Sequence, residues 1–263
     1  MELKDRVAIV TGGGTNAGRA IALEFARQGA RVVVASRTQA DLDETVRMVK
    51  EQGGQALAVK TDVGVEDQVK NLVKQTATNF GKVDIMVNNA AYTGDPGRFT
   101  EVQLDEWHRI FASTIVGTML CTRECFKYMV QRKRGVILNI STQAAKQGYA
   151  PMAAYAAAKA GIENLTRTLA LEVGQYGIRV NSITLGNPGW QWRSPKHIAL
   201  IGGRAKLQGI TLEQAKAGNL ARSPLGIFPE EDDIANLSVF LVSDKARAMT
   251  GQCVNLSAGR EMR

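Results

Sequence analysis

The stretch Arg6-Val7-Ala8-Ile9-Val10-Thr11-Gly12-Gly13-Gly14-Thr15-Asn16-Ala17-Gly18 decides the fold. Residues 6–10 form a short apolar run that reads as a buried strand. A glycine-rich turn follows directly, and a helical pattern runs from about Asn16 to Gln28, stopped by Gly29. A glycine turn after a strand can be merely structural. Placed between a strand and a helix, it is also what a dinucleotide pyrophosphate needs: glycines let the backbone approach, and the first N–H groups of the helix are free to bind anions. Gly12, Gly14, Thr15, Asn16, Ala17 and Gly18 are therefore candidate phosphate-binding positions.

The same alternation continues outward from this unit. Apolar runs at 31–35, 56–60, 83–87, 136–140, 179–184 and 252–256 are separated by helical patterns, including 39–52, 66–79, 104–132, 152–174 and 230–242. Strands joined through helices imply right-handed crossovers and a parallel sheet covered on both faces. The expectation is a single doubly wound Rossmann domain spanning residues 1–263, with a seven-stranded parallel sheet. No linker or low-complexity segment divides the series.

Bulk properties narrow the function. Hydrophobic content of 44% and charge of 22% are those of a globular protein. No apolar run approaches 18 residues, and the charged N-terminus leads straight into a strand, so neither a membrane span nor a signal peptide is expected. Three cysteines, Cys121, Cys125 and Cys253, make no disulfide framework and fit a cytoplasmic setting. Cys121 and Cys125 share a helix face but make a poor metal site, and no metal is expected. The net charge of +8 comes from scattered basic residues without a nucleic-acid motif, so an anionic small ligand is the more economical reading.

The ends of the strands carry the polar chemistry. The second ends in Ala35-Ser36-Arg37, without the acid that usually holds an NAD ribose. Arg37 can pair with a 2′-phosphate, and Ser36 can hydrogen-bond it, so the reading favours NADP(H) while leaving NAD(H) open. Asp62 and Val63 end the third strand, where a carboxylate can accept from an adenine amino group or cap the following turn. Asn88, Asn89 and Ala90 leave the fourth strand, placed to bridge loops and touch a ligand. Tyr155 and Lys159, four apart on one helix, share a face. An ammonium beside a phenol lowers its pKa and suits it to proton transfer. Ser141, at the end of the fifth strand, offers a hydroxyl to the same oxygen.

In order and spacing, the glycine turn 11–18, Asp62, Asn88-Asn89-Ala90, Ser141, Tyr155/Lys159, Arg179-Val180-Asn181-Ser182-Ile183 and Thr250-Gly251-Gln252 resemble the short-chain dehydrogenase/reductase family in its single-domain form. The resemblance implies hydride transfer between a nicotinamide and a ketone or secondary alcohol. Tyr155 would be the acid–base group, Lys159 would tune it and bind the nicotinamide ribose, and Ser141 would orient the carbonyl. It also implies Gly186 at the cofactor, and a homo-oligomer, tetramer or dimer, formed through the long helices flanking the fifth strand.

Three departures stand out. Asn16 replaces a usual Gly, which a left-handed Asn can accommodate. Thr114 stands where the family's fourth catalytic residue is Asn, with Ser113 beside it as an alternative hydroxyl. After the sixth strand the chain reads Leu185-Gly186-Asn187-Pro188-Gly189 in place of Pro-Gly. Residues 187–222 then form an expected substrate lid, with Arg193, Lys196, Arg204, Lys206, Lys216 and Arg222 against the single acid Glu213. This suits an anionic or cyclic substrate, or simply a solvated helix face. Gln143, Tyr149 and Trp190 are expected in the substrate wall, with Tyr92 near it. The alternatives are an NAD-dependent sugar, diol or ring-alcohol dehydrogenase, and a dinucleotide-binding regulatory protein with little turnover.

Overall fold

The computed structural model describes residues 1–95 and 97–262, the side chain of residue 196 excepted. The strands are β1 (Val7–Thr11), β2 (Arg31–Ser36), β3 (Gln55–Lys60), β4 (Ile85–Asn88), β5 (Gly135–Thr142), β6 (Ile178–Leu185) and β7 (Cys253–Leu256). They make one parallel sheet in the order β3-β2-β1-β4-β5-β6-β7. The order reverses between β1 and β4, and crevices for ligands open at such a switch point, beyond the C-terminal ends of the strands.

The helices are α1 (Asn16–Arg27), α2 (Gln39–Glu51), α3 (Glu66–Phe80), α4 (Leu104–Phe111), α5 (Gly117–Arg132), α6 (Ala153–Val173), α7 (Pro195–Leu207), α8 (Leu212–Ala221) and α9 (Glu231–Val242). Alternate residues of each buried strand face opposite sides, which explains the two cores. Val10, Val34 and Leu138 pack with Ile21 and Phe25 of α1, Leu42 of α2 and Ile234 of α9. Ile9, Val33 and Ile137 pack with Leu72 of α3, Cys125 of α5 and Val173 of α6.

Several boundaries differ from the sequence pattern. β3 ends at Lys60, so Asp62 and Val63 lie in the following loop rather than at the strand end. The helical stretch 104–132 is interrupted by a π-helical turn, Ala112–Val116. The segment expected as a lid folds into a 3₁₀ turn, Gly189–Trp192, followed by α7 and α8. Cys121 and Cys125 are buried small residues of the α5 core, and burial lifts the Cys121 thiol to about 12 and raises that of Cys125 as well.

Candidate active site

The glycine turn owes its shape to close backbone packing. Gly12 has φ +64°, and a Cβ on Gly18 would lie 2.1 Å from the Gly12 carbonyl oxygen and 2.6 Å from Asn89 Nδ2. Asn16 takes the left-handed conformation its position demands, with φ 46°. Asn89 fastens this turn to the end of β4: its Nδ2 donates to Thr11 O at 2.9 Å and Gly12 O at 3.3 Å. Thr11 Oγ1 accepts from the backbone N–H of Asn89 (3.1 Å) and of Ala90 (3.2 Å). Asn88 points inward instead, donating to Thr122 Oγ1 at 2.9 Å and Asn139 Oδ1 at 2.8 Å, so it braces β4 against α5 and β5. Asp62 accepts from Gly64 N at 2.9 Å and shapes the loop after β3.

These loops enclose one cavity of about 510 Å³ over the C-terminal ends of the strands. Gly12, Gly14, Thr15, Asn16, Ala17, Gly18, Ser36, Arg37, Asp62, Val63, Asn89, Ala90 and Gly186 all line it, as do Ser141, Tyr155, Lys159 and Trp190. The sequence reading missed further wall residues, among them Asp41 and Thr61, while Pro188, Ser194 and His197 come from the segment expected as the lid. Asp41 sits in the first turn of α2, where an N-terminal acid looks like ordinary helix chemistry and gives no separate signal.

At the inner end, Tyr155 and Lys159 reach the cavity from α6 and Ser141 from β5. Lys159 Nζ donates to Ile140 O at 2.6 Å and lies 5.8 Å from the centre of the Tyr155 ring. Ser141 Oγ is buried without a hydrogen-bond partner. The expected lowering of the Tyr155 pKa is corrected here. Burial dominates and raises the phenol to about 12, with the Arg204 charge opposing it and Tyr149 adding to it. Burial also brings Lys159 down to about 8.

Three further expected residues do not line this cavity. Thr114 does not line the cavity: it is fully buried in the π-helical turn, donating to Tyr92 O at 3.5 Å, while Ser113 beside it is on the wall. Gln143 stands behind the wall, donating from Nε2 to Asn187 Oδ1 at 3.0 Å. Tyr149 lines a second cavity, bounded by α7 and α8. Of the lid cations, Arg193 is paired with Glu230 at 2.7 Å and Glu231 at 2.9 Å, and Lys196 lies outside the described side chains.

The cavity fits a dinucleotide. The turn has no room for side chains where a pyrophosphate approaches, α1 presents its N-terminus, and polar groups line the full length to Tyr155. The family model described as short chain dehydrogenase matches residues 6–189. The chain belongs to the short-chain dehydrogenase/reductase family. An uncharacterized oxidoreductase of Thermotoga maritima is 39% identical over 95% of this chain and 93% of its own length. The solved NAD⁺-bound xylitol dehydrogenase superposes with a TM-score of 0.93 at 28% identity, covering 98% of this chain and all of that one. A variant of actinorhodin polyketide ketoreductase, solved with NADPH, gives 0.90 at 28% identity, covering 97% of each chain. The protein is thus an oxidoreductase of the CH–OH/C=O class with a nicotinamide dinucleotide as cofactor. Among the described residues, no helix is long and apolar enough to cross a membrane.

Proposed function

We propose that this short-chain dehydrogenase/reductase interconverts a ketone and a secondary alcohol, prefers NADP(H), and uses Tyr155 as its acid–base group. The convergence of Ser141, Tyr155 and Lys159 at one end of the cavity lined by the glycine turn carries this reading. The glycine turn, Ser36, Arg37, Asp62, Val63, Asn89, Ala90, Lys159 and Gly186 would hold the cofactor, which when bound supplies or accepts the hydride. Tyr155, lifted to about 12, is protonated at neutral pH and can give its proton to a carbonyl oxygen as that oxygen gains charge. Ser141 would donate a hydrogen bond to the same oxygen with its unpartnered hydroxyl. The Lys159 ammonium, charged below about pH 8, stabilises the phenolate left behind. Ser113, on the cavity wall, would be the hydroxyl that joins any proton relay in place of Thr114. Residues 187–222 act as the substrate lid, supported by Trp190, which closes one wall of the cavity. Unbridged cysteines fit action in the cytoplasm, and we read the working form as a homo-oligomer.

Arg37 supports NADP(H), but Asp41 of opposite sign lines the same end of the cavity and favours the alternative of an NAD-dependent sugar or diol dehydrogenase. Equilibrium binding decides between them. We expect NADPH to bind about tenfold or more tighter than NADH, the worth of one charge-assisted contact. Equal or tighter NADH binding would defeat the Arg37 argument. A Tyr155→Phe variant tests the chemistry. Ketone turnover should fall by about a hundredfold or more with cofactor affinity kept. Turnover close to that of the parent would remove Tyr155 from the reaction.

A further inference from the structure

A second cavity, of about 350 Å³, lies beside the first, and Gln191 lines both. Its walls come from the loop before α6, from α7 and α8, and from the C-terminal segment, and they bring Arg204, Arg222 and Arg260 together with Tyr149 and Trp192. No Asp or Glu lines it, and among the described residues no carboxylate pairs with any of the three arginines. Arg193, on the same segment, is by contrast fully paired with Glu230 and Glu231.

A solvated basic surface would satisfy its donors with water. Here Arg204 Nε and Trp192 Nε1 are both buried without an acceptor. Each such orphan N–H has given up its hydration for nothing, a cost to the fold that an added acceptor would remove. One acceptor in the wall is already committed: Asn219 Oδ1 takes Arg260 Nη1 at 2.6 Å and also a short bond from Asn187 Nδ2. Burial lowers the Arg260 pKa, with Tyr149 opposing that and the Arg222 charge adding to it. The fold therefore holds together like charges and empty-handed donors that only an added acceptor would satisfy. The Arg204 charge also reaches the Tyr155 phenol, so this cavity and the reacting end are electrically coupled.

We propose that the second cavity holds the anionic end, a carboxylate or a phosphate, of the substrate whose carbonyl is reduced at Tyr155, with Arg204, Arg222 and Arg260 as its ligands. This rests on the carbonyl-reductase reading above and names its substrate class: ketones that carry an acidic group several atoms from the carbonyl.

The test compares kcat/KM at saturating NADPH for 4-oxopentanoate and 5-oxohexanoate with their methyl esters, and for dihydroxyacetone phosphate with dihydroxyacetone. The charged member of a pair should win by about tenfold or more. Whether the oxo acids or the phosphate lead identifies the anion. The charged-over-neutral ratio should collapse towards one in Arg222→Gln and in Arg260→Gln. Arg222 is exposed, so its variant keeps the test open should the Arg260 variant fail to fold. Neutral compounds that match the charged ones, or a ratio that survives both substitutions, would overturn the proposal. If nothing is turned over, the reductase reading falls by itself, and the cavity is judged by ligand-observed NMR on the full chain with 4-oxopentanoate and inorganic phosphate. Binding that is lost in Arg222→Gln supports the anion site; no binding to the parent protein rejects it.

Discussion

Lys159 is a charge held where water scarcely reaches it, 3% exposed, with the Ile140 carbonyl at 2.6 Å as its accepting partner. One hydrogen bond does not replace hydration, so its pKa drops from 10.5 to about 8. The folded value lies below the unfolded one. Between pH 8 and 10.5 the unfolded chain binds more protons, and stability rises with pH; below 8 the whole penalty is felt. At about 1.4 kcal/mol per unit the penalty is about 3 kcal/mol. Lys159→Met removes this dependence. Urea unfolding of both proteins at pH 7.5 and pH 10 should show the parent gaining on the variant by about 2–3 kcal/mol across that interval, while Tyr155 affects both equally. Stability curves that run parallel with pH would mean Lys159 is not desolvated as described. The same residue pair shows where sequence reading stops. Helical spacing places Tyr155 and Lys159 on one face, and that is local information. Whether the ammonium lowers the phenol pKa or burial raises it depends on how α6 packs against β5, which nothing in the residues 155–159 encodes.

At the scale of the element, the turn between β1 and α1 and the end of β4 form one unit. Gly18 lies against the Gly12 carbonyl, and Asn89 crosses to Thr11 and Gly12. The turn cannot open for a methyl group without breaking those bonds, because the nearest obstacle is backbone. Gly18→Ala should cost about 1–3 kcal/mol or more in urea unfolding and weaken NADPH binding by about tenfold or more. A variant that melts and binds like the parent would show the turn to be pliable. This unit was legible in the sequence because glycine, strand and helix signals occupy adjacent positions. Asp62, Asn89 and Ser141 were legible for a related reason: polar residues just past buried apolar runs must leave the sheet at its ligand-binding edge. The ends of strands moved by a residue or two because ladder partners, not propensity, set them. The π-helical turn at Ala112–Val116 has no compositional mark, so the family register points to Thr114, with Ser113 only as the alternative hydroxyl. Arg260 was missed because its neighbours Arg222, Tyr149 and Asn219 come from segments far apart in the chain.

At the scale of the whole molecule, the layer of α3, α5 and α6 leaves apolar residues on its outer side. Leu171 of α6 is 85% exposed, and Met119 at the start of α5 and Val116, the last residue of the π-helical turn before it, are each 38% exposed. Single exposed apolar residues are ordinary on any surface. These sit on the two helices that flank β5, and covering a leucine this open contributes about 1.5–3 kcal/mol. Applied on both sides of a two-fold axis the gain doubles, since a symmetric contact presents each residue twice. A stable contact needs about 800 Å² from each partner, which two helices of 16 and 21 residues can supply. We therefore expect light scattering at micromolar concentration to give two or four times the 28.4 kDa chain mass. Met119→Glu with Leu171→Glu should shift the population towards the single chain, because each charge would have to be desolvated inside the contact. A parent protein that is monomeric under these conditions rejects the assembly. An oligomer that keeps its mass in the double variant places the interface on another face, and Phe240 of α9, 40% exposed on the opposite layer, is then the next position to charge.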